Sequence, residues 1–212
     1  MVQHPSSGLH SLTGEHWKAI LVSEALWPPL VKSLAVARWT VLGIIALAAP
    51  AAYVIARLPR PWKYALILGL FVNRTVPEVA TALPVSVRFL QWGLLDTRLG
   101  LALAHLIKTL RFVAWILVGT FETIPVELEE PAQVDGCHRL GSLTRVVLPL
   151  AMPGVAVAAL FAWLESWNEF PYALYLSVTE HTPPLQISYY VARRHWFDSA
   201  TYATLLTGPV VV

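Results

Sequence analysis

Two runs of this sequence leave a water-soluble fold little room. Trp39 to Ala56 is eighteen residues without a charge, and Val146 to Leu164 is nineteen. About 20 apolar residues in a helix cover the hydrocarbon core of a bilayer. Leu34 to Ala37 extend the first run past Arg38, whose long stem can carry its charge back to the interface. Pro50 falls inside that run; neighbouring helices in a membrane bundle re-satisfy the carbonyl it frees. Composition points the same way. Of 212 residues 56% are hydrophobic and only 13% are charged, about half the ~25% of soluble domains, and mean hydropathy is +0.58. The expected fold class is all-α, a polytopic transmembrane helix bundle. A net charge of +2 excludes the dense basic face of a nucleic-acid binder. Cys137 is the single cysteine, which excludes an intrachain disulfide and a Cys-rich metal site.

Taken in order, residues 1–33 are expected to form an external polar segment, without the layout of a signal peptide. Residues 34–212 form the membrane domain. Arg57, Arg60 and Lys63 lie in a short loop with no acids, which reads as cytoplasmic by the positive-inside rule. Tyr64 to Val87 is expected to be one span, bent at Pro77 or Pro84. Arg88 to Arg98 is an outside loop with Trp92 as an interface anchor. Leu99 to Phe121 returns, carrying His105, Lys108 and Arg111. Lys108 and Arg111 share a helix face that must snorkel, pair with an acid elsewhere in the bundle, or line a substrate path. In Val146–Leu164 the small residues Gly154, Ala158 and Ala162 recur every four positions, so another helix can approach closely. Phe170 to Asp198 reads as a loop, and Ala200 to Val212 is too short to cross a bilayer.

Between two of these apolar segments lies the polar stretch Glu129 to Pro149, EEPAQVDGCHRLGSLTRVVLP. By the alternation of sides it is cytoplasmic. Acids lead it, Arg139 and Arg145 follow, and Gly136 permits a sharp turn. Glu130-Pro131-Ala132, three residues, Gly136, nine residues, then Val146-Val147-Leu148-Pro149 resembles the EAA signature of permease subunits from ABC importers. Pro50-Ala-Ala-Tyr53, Ala56-Arg57, Gly93-Leu-Leu-Asp96-Thr97, Ile124-Pro125 and Ser166-Trp-Asn-Glu-Phe170 are similar to the carbohydrate-uptake branch, of the maltose/glycerol-phosphate type. The resemblance implies a type-I importer permease fold with about five of its six helices present, so a partial chain. It implies a multi-pass protein of the bacterial plasma membrane, in contact with membrane lipid and forming half of a sugar translocation pathway. A second permease subunit, an ATP-binding-cassette ATPase dimer and an extracytoplasmic solute-binding protein are the implied partners, with no nucleic acid. The loop 122–147 would couple to the ATPase, with Glu129, Glu130, Pro131, Ala132, Asp135 and Gly136 as docking residues. Pro131 stands where the signature has a small residue. Either it interrupts a helix begun near Pro125, or the helix restarts at Glu130 and Pro131 takes a tolerated early position.

No enzyme constellation is present. The sequence has no G-x4-G-K-[ST] phosphate loop, so ATP hydrolysis is expected on a partner and no cofactor is implied. The histidines show no metal-ligand spacing. Glu165 and Glu169 are four apart, with Trp163, Trp167 and Asn168 beside them. Carboxylates and aromatic faces are what a sugar site uses, and ionisable groups at membrane depth mark pathways; the competing reading is that both acids cap a helix end at the interface. A secondary transporter relaying ions through Glu78, Lys108 and Arg111, or a truncated non-functional permease remnant, are the alternatives.

Overall fold

The computed structural model describes residues 26–72, 75–179, 181–193 and 196–211. The first 25 residues of the polar segment, with Asn73, Arg74 and His195, lie outside the described residues. The chain is all-α, as expected, with no strand among the described residues. Helix α1 (Trp27–Ala56) opens on Pro28 and Pro29, whose fixed φ suits a first turn. Its 30 residues are about 45 Å of helix. It begins well ahead of Leu34, so the last residues of the expected external segment are helical. Helix α4 (Arg98–Glu122) is capped by Thr97, whose hydroxyl accepts the Gly100 N–H at 2.9 Å. Both are long and apolar enough to cross a membrane.

Tyr64–Val87 is not one continuous helix, and it breaks ahead of Glu78 at Pro77, one of the two expected bend positions. It divides into α2 (Arg60–Val72) and α3 (Glu78–Gln91), of 13 and 14 residues. Pro77, extended at ψ 138° and without an N–H, precedes the second and starts it afresh; Pro84 stays inside α3. The pair nonetheless runs the length of α4 in the opposite direction. Lys63 meets Glu122, Phe71 packs edge-on against Trp115 and Phe112, Glu78 meets Lys108, and Phe89 joins the core around Leu101.

The second charge-free run is also not straight. Helix α6 (Arg139–Leu150) and α7 (Met152–Trp167) meet at Ala151 with a bend of 84°. Pro149 and Pro153 flank it, and each removes an intrahelical donor. One turn of α6, Leu143–Val147, is widened to a π-turn, so that the Leu148 N–H reaches the Leu143 carbonyl just before Pro149. The expected loop from Phe170 contains α8 (Pro171–Leu176) and α9 (Pro183–Ala192), each starting on proline. Helix α10 (Trp196–Val211) is 16 residues, short for a bilayer.

The core is α1, α4 and α7. Ile44, Ala48, Ala52, Val113, Leu117, Ala158 and Ala162 are buried together. Gly154 is essential to the contact: a Cβ there would sit 2.2 Å from the Thr120 side chain, so α7 lies on α4 through its small-residue face. Lys32 lies 3.8 Å from Asp96, and Arg57 bonds the Phe121 carbonyl, so α1 and α4 run parallel. Helix α7 opposes them, Gly154 beside Thr120 and Ser166 beside His105. Outward-facing Leu42, Leu47, Val54, Ile107 and Trp115 are more than half exposed.

Candidate functional site

The polar loop is built in short pieces. Pro125, itself extended at ψ 142°, separates α4 from a 3-10 turn over Val126–Leu128, and α5 (Glu130–Val134) follows. Of the two positions open to Pro131, the chain takes the second: the helix restarts at Glu130 and Pro131 is its second residue. Helix α5 closes by a Schellman turn. The Cys137 N–H donates to the Ala132 carbonyl at 2.9 Å, and Gly136 has φ 89°. Glu127, Glu130, Pro131, Asp135 and Gly136 are exposed, Ala132 is half-buried, and Val134 is 86% exposed.

Glu129 behaves differently from its neighbours. It is 1% exposed, and its carboxylate faces the end of α1. Oε1 accepts from Arg57 Nε at 3.0 Å and from Nη2, and Oε2 accepts from the Tyr53 hydroxyl. The guanidinium also donates to the carbonyls of Phe121 at 3.2 Å, in the last turn of α4, and Ile124 at 3.1 Å, just beyond it. Beside this clamp a cavity of about 580 Å³ is lined by Pro50, Val54, Val126, Arg139 and Leu140. The sequence signal for the clamp was the pair Tyr53 and Arg57, one helical turn apart, but nothing in the sequence said which acid they would meet.

At the opposite end, the Gly93–Thr97 segment ties three elements. Asp96, at φ 58°, accepts from the N–H groups of Val178 at 3.0 Å and Thr179 at 3.1 Å and from the Thr179 hydroxyl, with Lys32 at 3.8 Å. Partial burial pushes its carboxyl up, but these hydrogen bonds and the ammonium outweigh burial and hold it below the usual range. Gly100 must lack a side chain here, since a Cβ would lie 2.2 Å from the Leu94 carbonyl oxygen.

The expected substrate-path residues separate. Helix α7 ends at Trp167, so Glu165 and Glu169 do not share a face. Glu169 is buried, accepts from the N–H groups of Tyr172 at 2.9 Å and Ala173 at 3.1 Å, and lies 3.2 Å from His105 Nε2. That is a cap on α8. Trp167 stacks on Trp163 at 6.1 Å and donates to the Leu206 carbonyl at 3.2 Å. Asn168 is exposed and donates back to the Leu164 carbonyl. Glu165 reaches a cavity of about 450 Å³, lined also by Val76, Pro77, Glu78, Lys108, Arg111 and Phe112. There Lys108 lies 3.2 Å from Glu78 and 3.7 Å from Glu165. Lys108 thus pairs with acids of the bundle, one of the readings open for it, and also lines this cavity.

Comparison with known proteins agrees with this architecture. The profile of the "Binding-protein-dependent transport system inner membrane component" family matches residues 48–192. A putative ABC transporter permease protein (ORF1) of Streptomyces antibioticus is 36% identical over 163 residues, 76% of this chain and 71% of that one. The trehalose transport system permease protein SugB of Mycobacterium tuberculosis is 28% identical over 208 residues, 95% of this chain and 76% of that one. Among solved structures, a bacterial ABC transporter involved in import of the acidic polysaccharide alginate superposes with a TM-score of 0.72 at 21% identity, over 92% of this chain and 75% of that one; this likeness is one of fold. The chain belongs to the family of binding-protein-dependent transport system inner membrane components, and is a membrane transport subunit rather than an enzyme.

Proposed function

We propose that the chain is a multi-pass permease subunit of an ATP-driven sugar importer. It supplies half of the translocation pathway and meets a separate ATPase dimer through the 122–147 loop. A second permease subunit and an extracytoplasmic solute-binding protein complete the assembly in the bacterial plasma membrane. The observation that carries the reading is the exposed helix α5. A five-residue helix held out from the bundle, with exposed Glu130 and Asp135 and a glycine turn behind it, offers carboxylates for charge-assisted contacts with a basic cleft. Glu130, Pro131, Ala132, Asp135 and Gly136 form the docking face, and Glu129 holds that face from within. The name of the trehalose relative, which aligns with nearly all of this chain, supports sugar as the substrate class. The pathway would pass the Glu78–Lys108–Glu165 cavity, where carboxylates accept from hydroxyls and the cations donate to them. Trp163, stacked on Trp167, would offer the apolar ring face, and Trp167, Asn168 and Glu169 would support that wall.

Gly136→Asp tests the docking face. A side chain there meets no atom within 4 Å, so steric overlap is absent, but φ 89° disfavours any L-residue. The expected outcome is chain retained in the membrane fraction with sugar uptake reduced roughly tenfold or more, as backbone strain of about 1–3 kcal/mol displaces the turn. Wild-type uptake would remove the docking reading.

A further inference from the structure

We infer that Arg57 and Glu129 form the joint through which movement of the docking helix reaches the membrane bundle; the inference rests on the docking reading above. Residues 125–136 turn most of their side chains outward. Among the described residues, the side-chain hydrogen bonds this segment makes to the membrane helices are those of Glu129. The other half of the joint is one guanidinium bonded to three elements: the Glu129 carboxylate, the Phe121 carbonyl ending α4, and the Ile124 carbonyl beyond it. Arg57 itself terminates α1.

The geometry makes this contact stiff. Glu129 is almost fully out of water, and parting a buried ion pair leaves an uncompensated charge. The planar fork of Arg fixes direction as well as distance. Tyr53, one turn earlier in α1, holds the second carboxylate oxygen and packs edge-on against Phe121 at 6.3 Å. A displacement of α5 is therefore passed on rather than absorbed in the loop. Because α1 and α4 are parallel and end together at this clamp, both receive it in the same sense. Helix α7, antiparallel and beyond the 84° bend, does not. The joint thus moves two core helices against the third, and Arg57, Glu129 and Tyr53 are positioning residues for coupling.

The test uses the complete transporter, with its own ATPase and binding protein, in proteoliposomes. Two quantities are read: ATPase subunit retained by the permease, and sugar imported per ATP hydrolysed. Arg57→Gln is expected to keep ATPase retention within about twofold of wild type while import per ATP falls roughly tenfold. The reversed pair, Arg57→Glu with Glu129→Arg, is expected to recover part of that loss. Tyr53→Phe, which removes one hydroxyl and keeps the ring, is expected to lower import per ATP by a smaller factor. Unchanged import per ATP in Arg57→Gln and Tyr53→Phe would overturn the joint. So would Glu129→Gln if it lost ATPase in proportion to import, because Glu129 would then be a docking carboxylate. If the wild-type chain retains no ATPase at all, the docking reading fails, and the joint falls with it.

Discussion

Gly100 and Asp96 show how much of this molecule depends on single backbone positions. Gly100 begins α4 with the Leu94 carbonyl oxygen 2.2 Å from where a Cβ would be. Because the opposing atom is backbone, it cannot swing aside. Gly69, by contrast, has nothing within 4 Å. Gly100→Ala is therefore expected to lower the melting temperature of the detergent-solubilised chain, at a cost of about 1–3 kcal/mol as overpacking does. Gly69→Ala should leave it unchanged or raise it. Equal effects of the two would contradict the packing described. Asp96 carries a pH prediction. Its folded carboxyl titrates below its ordinary range, so the stability it contributes is present above that range and is lost as pH falls through the folded value. Asn tolerates positive φ and keeps the acceptor oxygen, so Asp96→Asn isolates the charge. The variant should be less stable than wild type at neutral pH, and the gap should close under acid conditions. A gap that stays constant with pH would show the charge to be irrelevant.

At the scale of elements, proline position decides more than proline count. Pro131 is the second residue of α5, where no intrahelical N–H is required and φ near −65° is already correct. Pro131→Ala is accordingly expected to change sugar uptake by less than about twofold, and stability by no more than roughly 0.5 kcal/mol. A large loss of uptake would mean that the ring itself contacts a partner. The same rule explains what was legible in the sequence. Long, mostly apolar runs are visible from composition, so α1 and α4 were readable to within a few residues at most ends, even with Lys108 and Arg111 inside α4. The break before α3 was written in Pro77 and its charged neighbours, and was expected there or at Pro84 as a bend in one span; the apolar continuation through Val87 hid that the helix ends and restarts. The bend at Ala151 had its signal in Pro149 and Pro153, which a hydropathy reading does not register. Helices α8 and α9 begin at prolines that read as loop because their neighbours are aromatic rather than periodic. Gly154, Ala158 and Ala162 were correctly read as a close-approach face, since small residues at a helical spacing have few other uses.

Over the whole molecule, polar side chains sort to two ends and one intermediate layer. Arg57, Lys63, Glu122 and Glu129 gather at one end, Lys32, Asp96 and Thr179 at the other. Sequence could place charges along the chain but not across it, and so gave Glu165 and Glu169 one role. Their surroundings divide them. Glu169 is buried against His105 and the first N–H groups of α8. Glu165 is partly open to the charged cavity and, among the described residues, pairs with Lys108, which Glu78 also holds. Neutralising Glu169 should therefore act on the fold: its buried carboxylate accepts the Tyr172 and Ala173 N–H groups, and hydrogen bonds to a charged group contribute about 1.5–3 kcal/mol, so Glu169→Gln is expected to reduce the amount of chain in the membrane. Neutralising Glu165 leaves Lys108 its closer partner, so folding should be nearly unaffected. What changes is an acceptor on the proposed pathway. Glu165→Gln is expected to raise the KM for sugar uptake several-fold at normal chain abundance, in line with about 1 kcal/mol for a lost hydrogen bond, and Trp163→Ala, which removes the proposed ring face, is expected to raise it too. Uptake measured against sugar concentration, together with membrane abundance by immunoblot, separates the two classes. Unaltered KM in both Glu165→Gln and Trp163→Ala would take this wall out of the pathway and leave the cavity as a structural ion-pair layer.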